Sequence, residues 1–252
     1  MPGLAQIRRL EAAAFRAWPA TNVHHEGTWS VRLTASHPSR RLNSVNPLDP
    51  NDHDDLPVRV ERVGKKFRDY GRPLTFRQSP LAPPELSRYL DDRGYERLGH
   101  SLVLSAAIDK LATDNAFDQI PLKDIGRYVD ASILIHEHDS HMKPGLSEVI
   151  SAIKPTAGMF VLEDDDGPVS SVICVQDGNL AGILDMGTRV EQKRQGKGRR
   201  LLAAALKWAK GRGADTAWLQ VESSNEIALA MYENLGFEPA YSYLYFVSPE
   251  KH

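Results

Sequence analysis

The stretch KRQGKGRRLL, residues 193–202, packs five cations and two glycines into ten residues. It follows the apolar, β-rich LAGILDMGTRV of residues 180–190 and runs into the helix-forming AAALKWA of residues 203–209. The glycines therefore lie in a turn from a strand into a helix expected to start near Arg199. Such a turn aims unpaired backbone N–H groups and the positive end of a helix dipole at one point, where an anion binds. Gly196 and Gly198 let the backbone approach that anion with no Cβ in the way. Two familiar phosphate motifs fail here. A Walker loop needs Lys and then Ser or Thr after its second glycine, and Gly198 is followed by Arg199; a dinucleotide fingerprint needs a third small residue where Leu201 stands.

The rest of the composition limits what that basic turn serves. A net charge of −2 over 252 residues excludes a general polyanion binder, because non-specific nucleic-acid affinity comes from neutralising many phosphates. One cysteine, Cys174, excludes an internal disulfide and a cysteine-rich zinc site, and it is expected as a small buried residue in a reducing cytoplasm. Arg8, Arg9 and Glu11 interrupt the N-terminal apolar pattern, and no uncharged run approaches the ~20 residues of a membrane span. The expectation is a cytoplasmic protein, monomer or homodimer, with no nucleic-acid or membrane partner.

Periodicity predicts helices at residues 4–17, 58–70, 84–94, 123–137, 146–154, 199–210 and 225–236, and strands between them, with 43–57 as an acidic loop. Aspartate–glycine turns at DDDG and QDGN predict consecutive hairpins before a strand–helix–strand unit. This is α+β: a mixed, mostly antiparallel sheet flanked by helices. Residues 73–106 and 216–247 share an order of strand, helix, Gly-aromatic-Glu and strand, with Gly94-Tyr95-Glu96 matching Gly236-Phe237-Glu238. The order predicts two related halves, 1–112 and 113–252, divided within LATDNAFD.

The basic turn fits a third phosphate motif, the pyrophosphate loop [R/Q]-x-x-G-x-[G/A] of coenzyme A acyltransferases, with Lys193 where Arg or Gln is usual. A second block, N-x-x-A-x-x-x-Y-x-x-x-G-F, is met by Asn225, Ala228, Tyr232, Gly236 and Phe237. Together these residues resemble the GNAT superfamily of N-acyltransferases over residues 120–247. The resemblance implies the GNAT fold and acetyl-CoA as co-substrate. Backbone amides of Arg194, Gln195, Gly196, Lys197, Gly198 and Arg199 would hold its pyrophosphate, with Lys193 at the rim. Met186, Gly187 and Thr188 would pair with its pantetheine arm, Asn225 would cap the helix beside it, and Tyr232 would be the acid that meets the departing thiolate. No metal is implied. His136, His138 and His141 of HEHDSH lack a strong zinc spacing such as H-E-x-x-H, and with Asp139 they are expected to meet the substrate amine.

The reaction implied is direct attack of a primary amine, on a small molecule or a protein, upon the acyl thioester. The general base is Asp185, Glu222 or water. The implied N-terminal half has the acidic, glycine-free NPLDPNDHDDLP where the other half has its loop, and Leu90 where the other half has Tyr232, so one cofactor site is expected, in residues 113–252. Arg40 to Pro47, RRLNSVNP, is polar enough to help wall the acceptor pocket. The competing readings are a non-catalytic acyl-CoA-binding or regulatory module, and a nucleic-acid binder using the basic turn.

Overall fold

The computed structural model describes residues 3–111, 113 and 116–249. Ten strands form one mixed sheet in the order β1-β2-β3-β4-β10-β5-β9-β8-β7-β6. The N-terminal strands are β1 (Asn22–Glu26), β2 (Trp29–Leu33), β3 (Ser44–Pro47), β4 (Thr75–Gln78) and β5 (Glu96–Ala107). The others are β6 (Thr156–Asp164), β7 (Gly167–Asp177), β8 (Leu180–Thr188), β9 (Thr216–Glu222) and β10 (Glu238–Val247). Among the described residues, only β3/β4 and β8/β9 pair in parallel. Each parallel pair is joined by a crossover helix, α2 (Leu56–Asp69) for the first and α6 (Lys197–Lys210) for the second.

Among the described residues, seven α-helices cover the two faces. On one face, α1 (Leu4–Ala17), α4 (Ile125–Ile135) and α5 (Lys143–Ser151) bury Ile7, Leu10, Tyr128 and Ile150 against Ile173, Trp218 and Tyr243. On the other, α6 and α7 (Glu226–Leu235) bury Leu202, Leu206, Tyr232 and Leu235 against Val172, Leu219 and Cys174. Beside them α2 and α3 (Pro84–Asp91) cover Val31, Val45 and Phe76. Burial pushes the Cys174 thiol up to about 12, so it stays protonated as a packing residue.

The two Gly-aromatic-Glu signatures end their helices in the same way. Gly94 and Gly236 take positive φ (72° and 102°), which a glycine does without steric cost. Tyr95 N–H then donates to Leu90 O and Phe237 N–H to Tyr232 O, closing a Schellman turn at each site. The chain then turns back as β5 or β10. These neighbours occupy the middle of the sheet, β10 between β4 and β5, and β5 between β10 and β9.

Two expectations need correction, and one strand was not foreseen. The stretch 43–57 is not all loop, because Ser44 to Pro47 form the buried β3. With Val45 as its central apolar residue, the four-residue strand alternates over too short a run to reveal it. Strand β1, NVHHE, is exposed along most of its length and carries equally little pattern. Helix α6 starts at Lys197, one half-turn earlier than the charge pattern implies. The boundary expected after residue 112 falls where Ala112, Asp114 and Asn115 lie outside the described residues.

The β3–α2 connection is organised by a buried guanidinium. Arg59 grips Asp52 with two bonds of 2.7 and 2.9 Å, donates to Glu26 O at 2.8 Å and lies 4.0 Å over the Trp29 ring. Asp52 also accepts from Thr28 N–H and Oγ, and these bonds, with Arg59 the strongest, hold its carboxyl far below the ordinary range. Arg59→Met leaves that carboxylate and the Glu26 carbonyl without their partner. We expect a loss of about 2–3 kcal/mol in urea denaturation.

Candidate active site

Strands β8 and β9 pair only from Leu180 to Ile183 against Thr216 to Leu219. Beyond Ile183 they part, and β8 continues to Thr188 with β7 alone as its neighbour. The gap opens on both faces of the sheet, and the candidate site is built around it.

Asp185 marks the parting point. The β7–β8 register shifts there, between Ile173↔Leu184 and Ser171↔Gly187, which makes a bulge. Asp185 itself takes φ +49°, a left-handed conformation that costs a non-glycine residue about 1 kcal/mol or more. Its side chain is fixed in compensation. Oδ2 accepts from Tyr128 Oη at 2.8 Å and Ser132 Oγ at 2.6 Å, both on α4, while Oδ1 lies 3.4 Å from His136 Nε2. Burial, and then the Asp185 charge, hold the Tyr128 hydroxyl well above its usual range, so it remains a donor.

On one side of the bulge lies an open cleft of about 560 Å³ between the end of β8 and the first turns of α6 and α7. Met186, Gly187 and Thr188 form its floor, and the edge of β8 that faces away from β7 is free of any strand there. Glycine is required at two of these contacts. A Cβ on Gly187 would lie 2.6 Å from His136 Cε1, and one on Gly198 would lie 2.7 Å from Thr188 Oγ1, which is itself held by Ser170 at 2.7 Å. Gly198 therefore lets the start of α6 sit directly on the end of β8.

The basic turn forms the far wall. Arg194 and Gly196 take φ +62° and +74°, which coils the backbone into the first turn of α6, and no side chain caps that helix. The N–H groups of Gly196, Lys197, Gly198 and Arg199 thus precede the first intrahelical bond, Arg200 N–H to Gly196 O. Lys193, Arg194 and Arg199 are exposed at the rim, whereas Lys197 is turned away by Asp164 at 3.0 Å and Gln192 at 2.6 Å. Gln195 folds back onto Glu191 O at 3.1 Å and is the one residue of the expected set that does not line the cleft. Asn225 caps α7 through Ala228 N–H at 3.1 Å. Tyr232 lines the cleft from α7 with its ring edge-on to Phe237, and burial raises its hydroxyl to about 12.

On the other side of the bulge is a second cavity, of about 230 Å³, bounded by Asp185, Leu184, Trp18, His37, Arg41 and His138. Burial holds His37 and His138 below the ordinary histidine value, so both are neutral at pH 7. The HEHDSH segment divides accordingly. His136 stands beside Asp185 with its ring stacked 5.4 Å from that of His138. Asp139 and His141 instead pair with each other at 2.8 Å in solvent, because Asp139 also accepts from His141 N–H and closes a short turn. They line neither cavity. Glu222 is exposed at the end of β9 and is also absent from both walls. Tyr128, Ser132 and His37 were not singled out in the sequence; the wide separation of Tyr128 and Ser132 from Asp185 along the chain hid a cluster whose members suit a half-buried carboxylate.

Residues 4–246 match the family described as the C-terminal part of the probable histone acetyltransferase Rv0428c. The chain belongs to that family. This GNAT acetyltransferase is 24% identical to an uncharacterized N-acetyltransferase of Bacillus subtilis, YobR, over 92% of its own length and 95% of the relative's. It is 40% identical to the ribosomal protein bS18-alanine N-acetyltransferase of Escherichia coli over 60 residues, which are 24% of this chain and 40% of that enzyme. Among solved structures it shares its fold with a GCN5-related N-acetyltransferase from Kribbella flavida (TM-score 0.72, 19% identity, 96% and 95% of the two chains). A tandem GNAT protein from the clavulanic acid biosynthesis pathway superposes with TM-score 0.65 at 13% identity, over 94% and 86%. Among the described residues of the acetyltransferase, no helix is long and apolar enough to cross a membrane, and no three His, Cys, Asp or Glu side chains gather as a metal site.

Proposed function

We propose that this acetyltransferase moves the acetyl group of acetyl-CoA to a primary amine by direct attack at the gap between β8 and β9. The observation that carries the reading is Asp185, a carboxylate held at the β8 bulge between a cleft with a free helix N-terminus and a second, partly open cavity that it lines. The first cleft fits the co-substrate. Four unpaired N–H groups and three exposed cations face a pyrophosphate, and Gly198 brings them against the free edge of β8, which suits the amide-bearing pantetheine arm. When bound, acetyl-CoA supplies an acetyl thioester.

The protein's own residues then divide the proton traffic. An alkyl amine arrives protonated and is no nucleophile until it loses that proton. Asp185 takes it, with Tyr128 and Ser132 holding Oδ2 and leaving Oδ1 to accept the proton. The new N–C bond forms as the C–S bond breaks, the nitrogen releases its second proton to solvent so that a neutral amide results, and the electron pair of the C–S bond leaves on sulfur. Tyr232 meets it. With its hydroxyl raised to about 12, above a thiol's ~8.5, Tyr232 acts by donating a hydrogen bond to the developing thiolate, which collects its proton from solvent afterwards. Tyr232→Phe is expected to lower kcat about 10- to 100-fold with the Kd for acetyl-CoA unchanged, read from acetyl-CoA consumption and calorimetry. Failure of acetyl-CoA to bind at millimolar concentration would refute the reading.

The reading extends to the two parts of the chain, which we take as related GNAT-like units of which the second alone binds acetyl-CoA. The sheet order supports this. Exchanging β1–β5 with β6–β10 in order reverses the sequence of strands and changes nothing else, and it carries the α2 crossover onto that of α6. Each unit then lends its last strand to the other. At the counterpart of the basic turn, the Asp52 carboxylate and Arg59 close the approach to α2, and Leu90 stands fully buried in the place of Tyr232.

A further inference from the structure

The sheet face beneath α1 is polar where a face covered by a helix is ordinarily apolar. On the short strands β2, β3 and β4 the side chains alternate. Val31, Val45 and Phe76 enter the apolar cluster under α2 and α3, so Arg32, Asn46 and Arg77 point to the α1 side, and all three are buried. With Arg41 they line a small cavity beside Trp218, where β8 and β9 begin to part.

The charges there do not balance. Three guanidinium groups meet one carboxylate, the buried Glu11 on α1, which pairs with Arg77 and accepts from Tyr241 Oη at 2.5 Å. Among the described residues neither Arg32 nor Arg41 has a carboxylate partner. Arg32 donates to Trp18 O and lies 4.4 Å over the Phe15 ring, and Arg41 reaches Gln220 O at 3.4 Å. Arg32 Nε, Arg77 Nη2 and Asn46 Oδ1 are buried without any hydrogen-bond partner. Buried guanidinium groups with free donors are costly to the fold, which marks them as groups kept for a ligand. Burial, with repulsion from Arg77, lowers Arg32 to about 10. Burial works to raise Tyr243, yet Arg41 and Arg77 together draw it below its usual value. The Tyr243 shift reports the positive potential of Arg41, which also bonds its hydroxyl, and of Arg77.

This cavity shares Trp18, Arg41 and Leu184 with the 230 Å³ cavity that ends at Asp185. Its own volume, about 20 Å³, admits a group little larger than a water, which suits the flat end of a carboxylate better than a phosphate or a sugar. We propose that the acceptor is a small amine that carries a carboxylate, bound with the carboxylate among Arg32, Arg41 and Arg77 and the amine at Asp185. The proposal rests on the acetyl-transfer reading above and names its substrate class. The planar forks of the arginines match a carboxylate, and the same field disfavours polyamines and aminoglycosides.

The test compares matched acceptors on the full chain: free amino acids, the same amino acids as carboxamides, spermidine and an aminoglycoside, with acetyl-CoA binding measured separately by calorimetry. The expected result is a kcat/KM about 100-fold higher for some carboxylate-bearing amines than for their carboxamides. Arg41→Gln, which leaves the Glu11–Arg77 pair intact, should raise KM for the carboxylate-bearing amine about 30-fold or more and collapse its advantage over the carboxamide, with the acetyl-CoA Kd unaffected. Arg41→Lys should fall between. Arg32→Gln serves as the second variant, with melting temperature as the check on folding. Equal or better turnover of carboxamides or polyamines overturns the proposal, as does acetyl-CoA binding with no turnover of any carboxylate-bearing amine. A chain that does not bind acetyl-CoA refutes the acetyl-transfer reading instead, so the two failures are distinct.

Discussion

Asp185→Asn is expected to lower kcat for amine acetylation about 1,000-fold at pH 7 while leaving the Kd for acetyl-CoA within about twofold. The substitution isolates the proton-accepting role. Asparagine tolerates the left-handed φ of +49° as well as aspartate does, so the β8 bulge and the parting of β8 from β9 survive. Its side-chain oxygen still accepts from Tyr128 and Ser132, so the contact with α4 remains. What is lost is a group able to take the amine's proton. The residual rate of the variant should therefore climb with pH, as the fraction of neutral amine in solution rises, and approach the wild-type rate above pH 9. Glu222→Gln should change kcat less than about threefold, because that carboxylate is exposed and outside both cavities. Parallel pH–rate profiles for wild type and Asp185→Asn, or a larger loss from Glu222→Gln, would assign the base elsewhere.

The choice between those two carboxylates shows where the sequence stopped being legible. Motif spacing brought Gly196, Gly198, Asn225 and Tyr232 into one reading because they follow each other along a single β–α–β–α path, and local turn chemistry fixes their geometry. Gly236 and Gly94 were equally plain as helix stops, since a Schellman turn needs only local residues. Asp185 and Glu222 looked alike, each a carboxylate near a strand end. Only the long-range contact with Tyr128 and Ser132, more than fifty residues away, separates them. The same limit hid β3 and the arginine face. In WSVRL, SVNP and TFRQ the alternation is present, yet an alternating short strand ordinarily turns its polar residues to water. That α1 covers those residues is a property of the packed sheet and appears nowhere in the local pattern. Polar alternation inside strands that prove buried on both faces is the signal by which such a site becomes visible.

Gly198→Val is expected to weaken acetyl-CoA binding about 100-fold, equivalent to about 2.7 kcal/mol, with the melting temperature only modestly reduced. The argument is steric and directional. The new Cβ would lie 2.7 Å from Thr188 Oγ1 and 3.0 Å from Met186 Cε. Met186 is flexible and moves aside, but Thr188 is β-branched and tied to Ser170, so the first turn of α6 must lift from the end of β8. That motion separates the N–H groups of the turn from the free strand edge, the two elements that have to engage one ligand together. Most of α6 packs through Leu201, Leu202, Ala205 and Leu206, which lie beyond the displaced turn and keep the core intact. Gly196→Ala is the contrast. No atom lies within 4 Å of a Cβ there, so the cost is confined to the left-handed φ of +74°, about 1–2 kcal/mol, and Gly196→Asn should recover part of it. Calorimetric titration of acetyl-CoA into the three variants should thus rank them Gly196→Asn, Gly196→Ala, Gly198→Val in falling affinity. Wild-type affinity in Gly198→Val would show that the helix start and the strand edge do not act on the same molecule, and the cleft would lose its assignment to the pyrophosphate.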